Sequence, residues 1–197
     1  MYTEDFILRM INQAMAVLVK VLGFKQAGQR QEALQAIDQA LELLLGLRAS
    51  LFRQLDEPRM LQMLVLQGRL DVERLAVLAD IFYEEGDILE GEGRIPESIL
   101  ASRRALRFYL ESALTIYALN FSQLPVSVMV KIENLRRRLG REPLSLETRM
   151  ALVDYYERLL SLHPDQLAAA GLSHYGIEQT ALSLQQNLGF DSRSMGA

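Results

Sequence analysis

The chain has 197 residues, half of them hydrophobic, with five prolines, no cysteine, no tryptophan and a formal net charge of −4. That length and apolar content suit one domain with a substantial core and argue against disorder. The missing thiols exclude disulfides, thiolate nucleophiles and thiolate metal sites and agree with a reducing cytosol, while the mild acidity disfavours general nucleic-acid binding.

In chain order, Thr3 caps a first predicted helix, with Phe6, Ile7, Met10, Ile11, Ala14, Val17, Leu18 and Val21 on its apolar face and an end near Gly23. The opening MYTEDFILRM carries acids where a secretory signal needs bases. The longest apolar block, Ala40–Leu47, is interrupted by Glu42 and too short for a bilayer. A soluble cytoplasmic protein without membrane contact is the expectation. A second helix covers Gln29 to Leu45 and closes at Gly46. A short helix near Ala49–Leu55, a break at Asp56–Pro58 and another short helix ending near Gly68 follow.

The stretch Leu75–Tyr117 organises the rest. Asp71 caps a helix with apolar residues at Leu75, Leu78, Ala79, Phe82, Ile88 and Leu89; Gly91 and Gly93 end it, and Pro96 opens the next. That second helix turns Ile99, Ser102, Leu106, Tyr109, Leu110 and Ala113 to one face. Beyond a loop at Asn120–Pro125, helices are predicted at Val126–Leu139, stopped by Gly140, and from the Ser145 cap to His163–Pro164. A broken helical stretch from an Asp165 cap to about Leu188 completes the set. No segment alternates long enough for a strand, so the fold class is all-α.

The spacing of Gly86, Leu89, Gly93, Ile95, Ser98 and Ala105 resembles a tetratricopeptide (TPR) repeat, a helical hairpin in which small residues allow close backbone approach. Phe24, Gly28, Ala33, Ile37 and Ala40 echo it. The two turn glycines, Gly28 and Gly93, are 65 residues apart, unlike the repeat of roughly 34. The chain therefore reads as an irregular TPR-like α-α superhelix of about eight to nine helices, a single domain over 1–189 with a flexible tail at 190–197. Through YTEDFILRMI, IDQALELLLGL and GRLDVERLAVLADIFYEEGDI it is also similar to a bacterial family of unknown function with TPR-like helices. That resemblance implies a fold and no chemistry.

The residues assign no catalytic group, cofactor or metal. GDILEGEGR lacks the preceding strand and the Gly-Lys-Ser/Thr of a phosphate loop. His163 suits a helix cap, and His174 with Glu178 one turn on makes only a two-ligand pair. No serine sits in a nucleophile elbow. An apolar pocket joining His174, Tyr175 and Glu178 would favour the remaining alternative of a helical enzyme or small-ligand binder.

The expected function is instead a non-catalytic protein-interaction or scaffolding module, with a homo-oligomeric structural protein as the alternative. In a TPR-like hairpin Asp80, Tyr83, Asp87 and Glu90 would line the groove, an acidic stripe suited to a basic protein or peptide. A second charged cluster, Lys131 with Arg136, Arg137, Arg138 and Arg141, is the candidate anion site; the helix dipole alone also favours cations there. Arg103, Arg104 and Arg107 fall on the outer side of their helix. The groove positions Met15, Leu18, Leu22 and Lys25 form an apolar face expected to be core, or else a homodimer interface.

Overall fold

The computed structural model describes residues 2–140 and 142–194, with the backbone alone for 2–4 and 187–194. The fold is all-α, with ten α-helices among the described residues: α1 (Tyr2–Gln26), α2 (Arg30–Leu45), α3 (Ala49–Arg53), α4 (Glu57–Met63), α5 (Val72–Gly91), α6 (Ile95–Ile116), α7 (Val126–Leu139), α8 (Leu146–Leu159), α9 (Pro164–Ala169) and α10 (His174–Ser194). The chain forms two compact units, Met1–Phe108 and Tyr109–Ala197, and the division falls within α6.

In the first unit α1 packs on α2 and both pack on α5. The local causes are visible at each junction. Gly46 takes the left-handed conformation (φ +68°) that ends α2, its N–H bonding the Glu42 carbonyl. Asp71 accepts from the Arg74 N–H at 3.0 Å and starts α5. Between α5 and α6, Gly93 (φ +75°) makes the turn and the Arg94 N–H reaches back to Leu89 O at 2.9 Å. The small residues then do what close helix packing requires: the Ser98 hydroxyl donates to Gly86 O at 2.7 Å, with Ala101 and Ala105 buried beside it.

Several expectations are corrected. The break expected at Asp56–Pro58 falls at 54–56, and Glu57 and Pro58 already belong to the next helix. Asp56 accepts from the Arg59 N–H at 2.9 Å, and Pro58 sits in the first turn of α4, where its missing donor has no partner to lose. The short helix expected to end near Gly68 is α4 and stops at Met63; an antiparallel hairpin of two-residue strands follows it, β1 (Val65–Leu66) and β2 (Arg69–Leu70), pairing Val65 with Leu70. Gln67 and Gly68 both have positive φ (+50° and +77°), as a tight two-residue turn demands. The helix count exceeds the eight or nine expected because the stretch after His163 is two helices rather than one broken one. His163, not Asp165, is the cap of α9, its Nδ1 accepting from the Asp165 N–H at 3.4 Å. Gly171 (φ +71°) separates the two helices, while Gly176 lies inside α10. The α10 backbone continues through Ser194, and 195–197 lie outside the described residues.

In the second unit α8 packs on α10 and α7 on α9. Ser145 caps α8, accepting from the Thr148 N–H at 3.2 Å. Phe121, Tyr155 and Tyr156 form an aromatic core cluster with edge-on contacts at 6.2 and 5.2 Å between ring centroids.

The apolar block singled out in α2 is not the helix nearest to a membrane span. Asp5–Gln26 of α1 is long and apolar enough to cross one, with 28% of that window buried within the protein.

Candidate functional site

The chain places chemistry at three places in the first unit and one in the second. The first is the outer face of α1. At 100° per residue, Leu8, Met15, Val19 and Leu22 fall within one narrow sector opposite the buried Ala14, Val17 and Val21. Their exposures are 53, 42, 68 and 42%. The expectation that this face is core therefore holds for Leu18, which is buried, and fails for Met15 and Leu22. Phe6, expected inward, is also exposed. Arg9 and Lys20, both exposed, flank one edge of the ridge.

The second is the α5 stripe. Asp80, Tyr83 and Asp87 are half-buried and Glu90 is exposed. Lys25 from α1 bonds Glu84 at 2.8 Å and also pairs with Asp87. Burial opposes the lysine's charge, but Asp87 and Glu84 outweigh it and hold its pKa above the ordinary value. Asp80, Tyr83, Asp87 and Glu90 each make further interactions within the chain. Gly91 lets the Arg30 guanidinium lie against the end of the stripe, since a Cβ there would come within 3.2 Å of Arg30 Nε. The stripe is thus a mixed-charge surface rather than a purely acidic one.

The third was not singled out by the sequence. Arg53, the last residue of α3, donates from Nε and Nη2 to Glu85 Oε1 at 3.1 and 2.6 Å and from Nη1 to Asp38 Oδ1 at 2.5 Å. Glu85 is 7% exposed, and burial raises its pKa against the opposing pull of Arg53. Arg104, expected on the outer side of α6, is instead buried: its Nη2 donates to the carbonyls of Arg53 and Leu55 at 2.9 and 3.2 Å. Its guanidinium lies over Phe82, 5.5 Å from the ring centroid. Arg103 and Arg107 are half-buried and engaged within the chain. These groups border a cavity of about 340 Å³.

In the second unit Glu133, 5% exposed, accepts from the Tyr156 hydroxyl at 2.6 Å and from Arg136 Nε at 3.1 Å. A cavity of about 190 Å³ lies beside them, closed by Gly171, Ser173 and Ile177. The neighbouring Tyr155 hydroxyl is buried with no hydrogen-bond partner among the described residues. Burial, then Glu133, pushes both phenols far above their ordinary pKa, so both stay protonated donors. Of the candidate anion cluster, Arg136 thus turns to Glu133. Arg137 Nη2 binds Asn134 Oδ1 at 2.6 Å, Arg138 is engaged within the chain, and Lys131 lies over the Tyr109 ring. Arg141 lies outside the described residues.

The pocket joining His174, Tyr175 and Glu178 is not formed: Tyr175 and Glu178 point to solvent. Among the described residues no group of three or more His, Asp or Glu side chains could hold a metal ion. The chain matches no protein-family model, no curated protein and no solved structure.

Proposed function

We propose that the chain is a non-catalytic protein-interaction module that docks a partner helix on the outward ridge of α1. The observation that supports this is the ridge itself, four large apolar side chains exposed along more than three turns of a helix whose other face is core. Water contact along such a contiguous stripe is unfavourable, and covering it with a second apolar helix releases that cost. The spacing of seven, four and three residues is the register in which one helix receives the side chains of another. Arg9 and Lys20 on a single edge select a partner whose own apolar stripe is bordered by carboxylates.

The test is site-specific photo-crosslinking from position 19, combined with mass by light scattering over a range of concentrations. One defined heterologous product, lost when Leu8 and Leu22 are both changed to Glu, supports the reading. A product of twice the chain mass, with a matching concentration-dependent dimer, replaces the foreign partner by a second copy. Binding of purified protein to anionic vesicles through the same ridge overturns it in favour of a lipid surface. A monomer that yields no product also overturns it.

A second reading keeps the α5 stripe for a basic peptide, favoured by the exposure of Glu90. Changing Asp80, Asp87 and Glu90 to Lys abolishes that interaction, whereas a partner that binds the variant as well as the parent excludes it.

A further inference from the structure

The cavity bordered by α2, α3, α5 and α6 has a feature that its structural role leaves over. Arg53 is matched by Asp38 and Glu85. Arg94 is matched by Glu97, through Nε at 2.6 Å and Nη2 at 3.0 Å. Arg104 is not matched in this way. It is 7% exposed, and both of its hydrogen bonds to described residues leave from Nη2 toward main-chain carbonyls. Glu85 and Glu57 act on it only through space, and burial pulls its pKa down without removing the charge, since a guanidinium does not deprotonate in a protein. Tying down the end of α3 accounts for one nitrogen. It leaves the Nε and Nη1 donors without an acceptor among the described residues, on a dehydrated cation that borders an open cavity.

The remaining walls are apolar. Leu34, Leu89, Leu100 and Ala101 line the same space, whose volume of about 340 Å³ is that of a small-molecule site. We propose that this cavity binds a small organic carboxylate with an apolar body, its carboxylate on Arg104 and its hydrocarbon against Leu34, Leu89, Leu100 and Ala101. A carboxylate supplies the charge-assisted acceptors that the guanidinium lacks, and an apolar tail replaces water on leucine surface. The ion pairs of Arg53 and Arg94 stay in place and frame the entrance. This site is separate from the α1 ridge, so either proposal can fail without the other.

Titration of the full chain with hexanoate, followed by calorimetry and by amide chemical shifts, tests it. Hexanoate is expected to bind at least about tenfold more tightly than hexylamine, which reverses the charge, or acetate, which lacks the tail. Shifts should centre on residues 100–105 and 85–89. Changing Arg104 risks the fold, because it holds the end of α3. Leu100→Glu, at an exposed position on the rim, places a competing carboxylate there instead and should weaken hexanoate by about tenfold or more with the helical content unchanged. Equal binding of hexanoate and hexylamine, shifts confined to other regions, or an unaffected Leu100→Glu variant would each overturn the assignment.

Discussion

The two units each bury a glutamate near the middle of a helix and neutralise it by different means. Glu85 is met by a full positive charge, Arg53, which is itself shared with Asp38. Glu133 is met by a neutral phenol, Tyr156, at 2.6 Å and by an arginine that is more than a third exposed. A carboxylate out of water needs its lone pairs filled, and either partner can do that. The difference lies in what is left when the partner goes. Removing a cation strands a charge, whereas removing a phenol costs one strong hydrogen bond. The first unit is therefore the more sensitive to single substitutions at its buried acid.

Arg53→Met sharpens that contrast most. It leaves Glu85 buried without its hydrogen bonds and with only the through-space charge of Arg104, and should destabilise the first unit by about 3 kcal/mol, measured by urea unfolding followed by circular dichroism. The double variant Arg53→Met with Glu85→Leu should recover most of the loss, since the stranded charge is then absent. No recovery would mean that Arg53 acts mainly by packing.

The same carboxylate carries a pH dependence. Burial raises the pKa of Glu85 in the folded state, so within the window between its unfolded and folded values the folded chain binds more protons than the unfolded one. Its contribution to stability is fully present below the unfolded value and is lost as pH rises through the folded value. The stability of the parent, compared with Glu85→Gln, should fall across that window above the ordinary carboxylate range. A parent that instead gains stability relative to Glu85→Gln as pH rises would reverse the sign and remove burial as the dominant cause.

The second unit provides its own control. Tyr156→Phe deletes the donor to Glu133 and should cost about 2 kcal/mol, the size of a hydrogen bond to a charged group. Tyr155→Phe, one residue away, deletes a buried hydroxyl that has no partner among the described residues and should be neutral or slightly stabilising. Equal losses at the two positions would mean that ring packing, not the Glu133 bond, sets the effect.

How much of this could be read from the sequence follows from the range of each interaction. Asp71, Ser145, Gly46 and Gly93 announce helix ends because a cap or a left-handed turn is decided within four residues, and the faces of α5 and α6 follow from periodicity. The hairpin at Val65–Leu70 was illegible, since two-residue strands cannot show alternation and Leu61, Leu64 and Val65 continue a helical spacing. Pro58 reads as a breaker until Asp56 is seen to make it a first-turn residue. The buried ion cluster is the clearest loss. Arg53 and Glu85 lie 32 positions apart, and nothing in the local pattern Ser102-Arg103-Arg104-Ala105 says that the second arginine, rather than the first, turns inward. The outward ridge of α1 was half legible: its apolar character was plain, but which apolar side would be covered depended on where α2 and α5 packed.

The caps extend the comparison of the two units to its smallest scale. Ser145 in the second unit caps α8 with its exposed hydroxyl, which accepts from the Thr148 N–H and shares a hydrogen bond with Thr148 Oγ1 at 3.0 Å, without any ion pair. Ser145→Ala should therefore cost about 1 kcal/mol, the usual value of a lost cap. Asp71 in the first unit caps α5 and also holds Arg74 Nε at 2.7 Å, with both side chains nearly buried. Asp71→Asn keeps an oxygen for the Arg74 N–H but discards the charge, while Asp71→Ala discards both. Asp71→Asn should fall between the parent and Asp71→Ala in urea unfolding, and Asp71→Ala should lose more than Ser145→Ala because Arg74 is left in a largely desolvated place without its counter-ion. Equal losses for Asp71→Ala and Ser145→Ala would show that the ion pair adds nothing to the cap, and that the first unit's sensitivity to charge is confined to Glu85.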